Sequence, residues 1–189
     1  MPSAEFAERN RLAVSERVAL AFVDTGYAVP IARICERAGV SERTFYRYFP
    51  RKPDAIRPVL ERGIELIGEA LRERPSGALA DVLVGAFERS LWGERGIHTA
   101  QLVPLILREP ALYAVWLSTI HGFEAVLGDA IDPWLIRPVS DLERRVIAAA
   151  LVAAMRIAFE SSTAEGAEPV TVFREAVAAI SVPAIALNA

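Results

Sequence analysis

At 189 residues the chain is long enough for one large domain or two small ones, and it can bury a core without disulfide or metal staples. Hydrophobic residues make up 53% of it but come in short runs broken by Arg, Glu or Asp, so no run of eighteen apolar residues reads as a membrane span and no membrane partner is expected. The formal charge of -3 excludes a uniformly basic protein, while one cysteine, Cys35, and two histidines, His98 and His121, exclude a disulfide framework and any Cys/His cluster of zinc spacing; no metal or other cofactor is expected.

The N-terminal "MPSAEFAERNRLA" carries Glu5 and Glu8 and lacks the cationic start and apolar run of a secretion signal, which predicts a cytoplasmic protein. From Glu8 to Thr25, Val14, Val18, Ala21 and Phe22 recur at helical spacing, and Gly26 follows where a helix C-terminus favours a left-handed residue. Pro30 fits the first turn of a second helix, "IARICERA", which Gly39 stops. Ser41 suits the N-cap of a third, which Pro50 and Pro53 end. A long fourth helix is predicted from about 54 to 74, with Ile56, Leu60, Ile64 and Ile67 as its apolar stripe. "RERPSGALA" is the clearest boundary, a Pro-Ser-Gly cluster between periodic segments. Beyond it, helices are predicted at about 77–92, 97–108, 110–130, 141–161 and 170–181, with Pro110 opening one and a Ser140/Glu143 capping box opening another. The expected fold is all-α with about nine helices: a short N-terminal unit over residues 1–53, then a C-terminal bundle over 54–189 joined through the helix at 54–74.

Charge is unevenly distributed. Residues 31–62 hold eight basic side chains (Arg33, Arg37, Arg43, Arg47, Arg51, Lys52, Arg57, Arg62) against four acidic ones (Glu36, Glu42, Asp54, Glu61), net +4, which leaves -7 for the remainder. A basic segment on an acidic body suggests contact with a polyanion at one end. Within it, "SERTFYRYFP" looks like strand material residue by residue, but Ser41 and Pro50 frame it as a helix. Phe45 and Phe49, four residues apart, point into a small core, whereas Arg43, Thr44 and Arg47 lie on other faces. Two short helices joined by a glycine-containing turn make a helix-turn-helix, whose second helix enters the DNA major groove.

"VPIARICERAGVSERTFYRYFPRKPDAI" resembles the DNA-binding region of the tetracycline-repressor (TetR) family: Ala38, Gly39, Val40, Ser41, Thr44, Phe45, Tyr46, Tyr48, Phe49 and Lys52 match that family's pattern in spacing. The likeness covers about residues 12–60, and "LILREPALYAVWL" is similar to a stretch in one branch of the family. The resemblance implies a DNA-binding regulator in which Glu42, Arg43, Thr44 and Arg47 face base edges, while Ser41, Tyr46, Tyr48 and Lys52, the chain's sole lysine, hold phosphates. Arginine can bond guanine O6 and N7 bidentately, Glu can accept from cytosine N4, and phenols can donate to phosphate oxygens. Many members have Thr where this chain has Pro30; proline offers no hydroxyl, and Arg33 is the residue placed to take over that phosphate contact.

For the C-terminal half, the resemblance implies a ligand-binding and dimerisation bundle. Trp92, His98, Trp116, His121, Phe123, Met155 and Phe159 are candidates for lining an effector cavity, since such sites are mostly apolar with few polar groups; bundle cores have the same composition. Cys35 reads as an inert buried thiol. The last two helices form the family's dimer interface, which nominates Ala149, Ala153, Ile157, Phe173, Val177 and Ile180. The expected partners are a palindromic double-stranded operator, a second copy of the chain and an unidentified small molecule, with the protein cytoplasmic and nucleoid-associated and its expected action repression relieved by the effector. Two other readings compete. A helical enzyme with His98 or His121 as general base lacks a Ser-His-Asp pattern, a Cys/His pair, a phosphate-cradling glycine loop and H-E-x-x-H. The same fold could also act as a ligand-binding or interaction module without specific DNA binding.

Overall fold

The computed structural model of the chain describes residues 4–73, 76–92, 99–135 and 137–180. Among these residues it contains nine α-helices and no strand: α1 (Ala4–Thr25), α2 (Ile31–Ala38), α3 (Glu42–Tyr48), α4 (Arg57–Arg72), α5 (Leu79–Trp92), α6 (Thr99–Arg108), α7 (Pro110–Ile131), α8 (Asp141–Glu165) and α9 (Pro169–Ala179). Two 3-10 turns, Lys52–Ile56 and Asp132–Trp134, precede α4 and follow α7.

Helix ends fall where local chemistry places them. Gly39 adopts φ 64°, ψ 38°, a left-handed conformation costly for other residues, and its N–H and that of Val40 satisfy the last carbonyls of α2. The Ser140/Glu143 capping box is present, each side chain bonding the other residue's backbone N–H. Pro30 differs from its expected place: it is the N-cap of α2, with no side-chain cap, rather than a residue of the first turn. The fourth helix also starts later than expected, at Arg57. Pro53 sits at the start of the 3-10 turn, where its missing N–H breaks no ladder, and Pro58 occupies the first turn of α4 for the same reason.

The described residues divide into two compact units, Met1–Gly63 with Trp92–Thr119, and Ile64–Leu91 with Ile120–Ala189, the division falling inside α4 and α7. In the first unit α1 packs on α2, on the Lys52–Ile56 turn and on α6. Its core is Val18, Phe22, Ile34, Phe45, Phe49, Ile56, Leu102 and Leu112, all buried. Polar ties reinforce it: the buried Ser15 hydroxyl donates to Ala55 O at 2.5 Å, and Arg57 donates to Ser118 Oγ at 3.2 Å and Thr119 Oγ1 at 3.3 Å.

In the second unit Phe87 lies between Phe173 and Phe159, with ring centroids 4.3 and 5.2 Å away. Trp134 Nε1 donates to Leu71 O at 3.1 Å. A Cβ added to Gly128 would meet Arg144 Cγ at 3.5 Å and Ala148 Cβ at 3.9 Å, so α7 and α8 approach closely there. By length and composition α8 is the one described helix that could cross a membrane, although no eighteen-residue apolar run stands out in the sequence. Buried residues of this unit account for much of its apolarity: Ile147, Leu151, Val152, Met155, Ala158 and Phe159 all face inward.

Candidate nucleic-acid interface

The helix-turn-helix expected from "AGVSERTFYRYF" is present as α2, Gly39–Ser41 and α3. Ile34, Cys35 and Ala38 bury one side of α2, and Cys35 is an unbonded thiol whose burial pushes its pKa up, which disfavours the reactive thiolate. Ser41 caps α3: its Oγ accepts from Thr44 N at 3.1 Å and donates to Thr44 Oγ1 at 2.9 Å. That hydroxyl, expected at a phosphate, is therefore engaged in holding the helix start.

Phe45 and Phe49 are buried with ring centroids 5.4 Å apart, and they anchor α3. On the outward side Glu42, Arg43, Tyr46 and Arg47 are all exposed, while Thr44 and Tyr48 are half-buried at its margins. Tyr46 rests edge-on against Phe45 at 5.2 Å. The Arg47 guanidinium lies 4.8 Å from the Tyr48 ring centre and donates to the Tyr48 hydroxyl at 3.3 Å. Arg33, also exposed, pairs with Glu36 at 2.9 Å on its own helix; such an exposed pair contributes little and can be exchanged for a phosphate. Of the nine expected DNA-facing residues, eight thus lie on α2, in the turn after it or on α3, all exposed or half-buried.

Lys52 departs from the expectation. Its ammonium turns inward, donating to the backbone carbonyls of Tyr27 and of Val29, the latter at 2.6 Å. It lies 4.5 Å from the Tyr27 ring centre and 5.8 Å from that of Phe22. Burial pushes its pKa below the ordinary lysine value, and the Glu109 carboxylate acts in the opposite sense. The two backbone carbonyls lie in the turn after α1 and, with the two ring faces, give the ammonium partners that offset part of its lost hydration. Nothing in the spacing of the sequence signals this, because it depends on how the 26–30 turn folds back.

The N-terminal region matches the family of bacterial regulatory proteins of TetR type over residues 20–54, and residues 73–183 match the MftR C-terminal domain. The chain belongs to the TetR family. None of the curated proteins matches it. Among solved structures, a TetR-family regulator from Rhodococcus sp. is similar at 17% identity and TM-score 0.61, with 92% of this chain and 97% of that one covered. GusR of Salmonella enterica is similar at 22% identity and TM-score 0.56, covering 92% and 94%. The multidrug binding protein EbrR, solved with imidazole, is similar at 19% identity and TM-score 0.55, covering 93% and 97%. At these identities the likeness is one of fold. Its members being transcriptional regulators, the TetR family places this chain among DNA-binding regulators.

In this TetR-family chain the described residues expected around an effector belong to both units. His98 and the side chain of Trp92 lie outside the described residues. Trp116 is buried in the first unit with its ring 5.5 Å from Tyr113, whereas Phe123, Met155 and Phe159 are buried in the second. His121 is 81% exposed by side chain and pairs with Glu124 at 3.3 Å, so it meets its polar need on the surface of α7.

The residues expected at a dimer face also divide. Ala149 and Ala153 are half-exposed on α8, Ile157 is exposed, and Ile180, just past α9, is half-exposed. Phe173 and Val177 are buried inside their own protomer, Phe173 against Phe87, and present nothing to a second chain. Sequence reasoning passed over Leu142 and Val146, which are 70% and 59% exposed and continue the α8 stripe through Ala149 and Ala153 to Ile157 at helical spacing. Their signal was available as exposed-face periodicity, but α8 is apolar on so many sides that the periodicity alone does not say which is outermost.

Proposed function

We propose that the chain is a sequence-specific, homodimeric transcriptional repressor that leaves its operator when a small molecule binds. The observation that carries this reading is the division of α3 by role: Phe45 and Phe49 fix the helix in the core, and Glu42, Arg43, Tyr46 and Arg47 stand together in solvent. Residues 1–53 act as the DNA-binding part and 54–189 as the effector-binding and dimerisation part. Arg43 and Arg47 reach base edges, with Glu42 and Thr44 beside them, and Tyr46, Tyr48 and Arg33 hold the backbone. The cell compartment is the cytoplasm, on the nucleoid.

A dimer is needed because one seven-residue recognition helix reads only a half-site, and two such helices about 34–36 Å apart occupy successive major grooves of a palindrome. The stripe from Leu142 to Ile157 supports this, since large apolar side chains aligned on one helix face favour burial against a second copy. An effector that binds one arrangement of the 54–189 part better than another would shift the population towards it, and the changed spacing of the recognition helices would release DNA.

Selection of bound duplexes from a random library tests the reading. Recovery of a palindromic site, bound in a salt-sensitive manner by two protomers, is the expected result. Failure to enrich any sequence would sink it in favour of a ligand-binding or interaction module.

A further inference from the structure

The two ends of the helix-turn-helix are joined by one side chain. The chain enters α2 through Tyr27, Ala28, Val29 and Pro30, and Pro30 as N-cap contributes neither an N–H nor a side-chain cap. It leaves α3 at Phe49 and reaches Lys52 three residues later. The Lys52 ammonium donates to the carbonyls of Tyr27 and Val29, two groups immediately before the entry, from a position immediately after the exit. Its own segment is held firmly: Ala55 and Ile56 are fully buried, Ser15 Oγ donates to Ala55 O, and Arg51 pairs with Asp54 at 2.8 Å.

We infer that Lys52 is a positioning residue for DNA recognition, a clasp that closes residues 27–52 into one unit and orients α3, and that it supplies no phosphate contact. The inference rests on the DNA-binding reading above. A flexible lysine reaching for phosphate has its ammonium in solvent. Here two of its three donors are committed to backbone carbonyls, and the half-buried group lies 4.5 and 5.8 Å from the Tyr27 and Phe22 ring centres. Freeing it for phosphate would leave those two carbonyls without their donor and would release the uncapped entry to α2, both unfavourable. The charge of Lys52 therefore acts through geometry: it sets where Arg43, Tyr46 and Arg47 stand, rather than adding to the counterions that DNA binding displaces.

The sole lysine makes the inference directly testable. Reductive methylation of the folded wild-type chain with 13C-formaldehyde labels only Lys52 and the N-terminal amine. Slow labelling of Lys52 relative to the unfolded chain, and a dimethyl-lysine resonance titrating below the ordinary lysine range and unmoved by operator DNA, are expected. Labelling at the rate of an exposed amine, or a resonance shifted by DNA as a phosphate partner would be, overturns the inference. In parallel, Lys52→Met and Lys52→Arg are titrated with operator and random duplexes over a salt series, at a temperature where circular dichroism shows both folded. Lys52→Met is expected to lose about tenfold or more on the operator and less on random DNA, with the wild-type salt slope retained, and Lys52→Arg, which can still donate to both carbonyls, to recover part of the loss. A slope shallower by about 0.9 per protomer, with equal losses on both duplexes, is the signature of a phosphate contact and overturns it. Should Lys52→Met not fold, the labelling measurement on the wild-type chain still decides. A wild-type chain that selects no operator would overturn the functional reading while leaving the labelling result to decide the clasp.

Discussion

Phe45 and Phe49 lie one helical turn apart with ring centroids 5.4 Å from each other, both buried, and they are the two side chains that fasten α3 to the first unit. Phe45→Ala would leave a ring-sized cavity beneath a helix of seven residues. The expected cost is about 3–5 kcal/mol of stability, read from urea unfolding followed by circular dichroism. Phe45→Leu, which keeps most of the volume, is expected to cost under about 1.5 kcal/mol.

Arg43 and Arg47 share the exposed side of α3, but Arg47 is stacked on Tyr48. Arg43→Ala is expected to cost about 1–3 kcal/mol on the selected site and far less on random DNA, measured by fluorescence anisotropy at fixed salt. Equal losses on both duplexes would remove Arg43 from the base-reading set. Tyr48→Phe, which keeps the ring under Arg47 and removes only the hydroxyl, is expected to lose less than Tyr48→Ala in the same assay.

Glu143 closes the capping box of α8. Hydrogen bonds from the Arg137 guanidinium first, then from the Ser140 backbone N–H and hydroxyl, pull its pKa from 4.5 down to about 2. Because the folded value is depressed, the stabilisation is complete above the unfolded value of 4.5 and is lost as pH falls from there towards 2. Glu143→Gln is therefore expected to flatten the dependence of the urea midpoint between those limits. An unchanged slope relative to wild type would show that the carboxylate is not the titrating group.

Val146 and Ile157 stand on the open side of α8, Phe173 on the closed side of α9. Charge substitutions should separate these roles. Val146→Glu with Ile157→Glu is expected to yield a folded monomer in sedimentation velocity, with helical content unchanged. Phe173→Ala is expected to lower stability by about 3–5 kcal/mol without a direct effect on the dimer contact, since its ring packs on Phe87 within one protomer.

Sequence alone determined which segments are helical and that Gly39 and Ser41 separate α2 from α3. Gly39 and Ser41 act through backbone conformation and capping within three or four residues, and Phe45 and Phe49 act through the period of one helix, so their effect is local. The family pattern followed from the same residues. Tertiary structure decided the rest. Lys52 sits at a position whose spacing suggests phosphate, yet the 26–30 turn folds back to offer it two carbonyls, and a side chain with four rotatable bonds goes where such partners are. α8 and α9 are apolar on several sides, so composition could not say that Phe173 and Val177 turn inward, Phe173 onto Phe87, while Leu142, Val146 and Ile157 remain outside. Local rules place an element, whereas the direction in which its side chains find partners depends on chain segments distant in sequence.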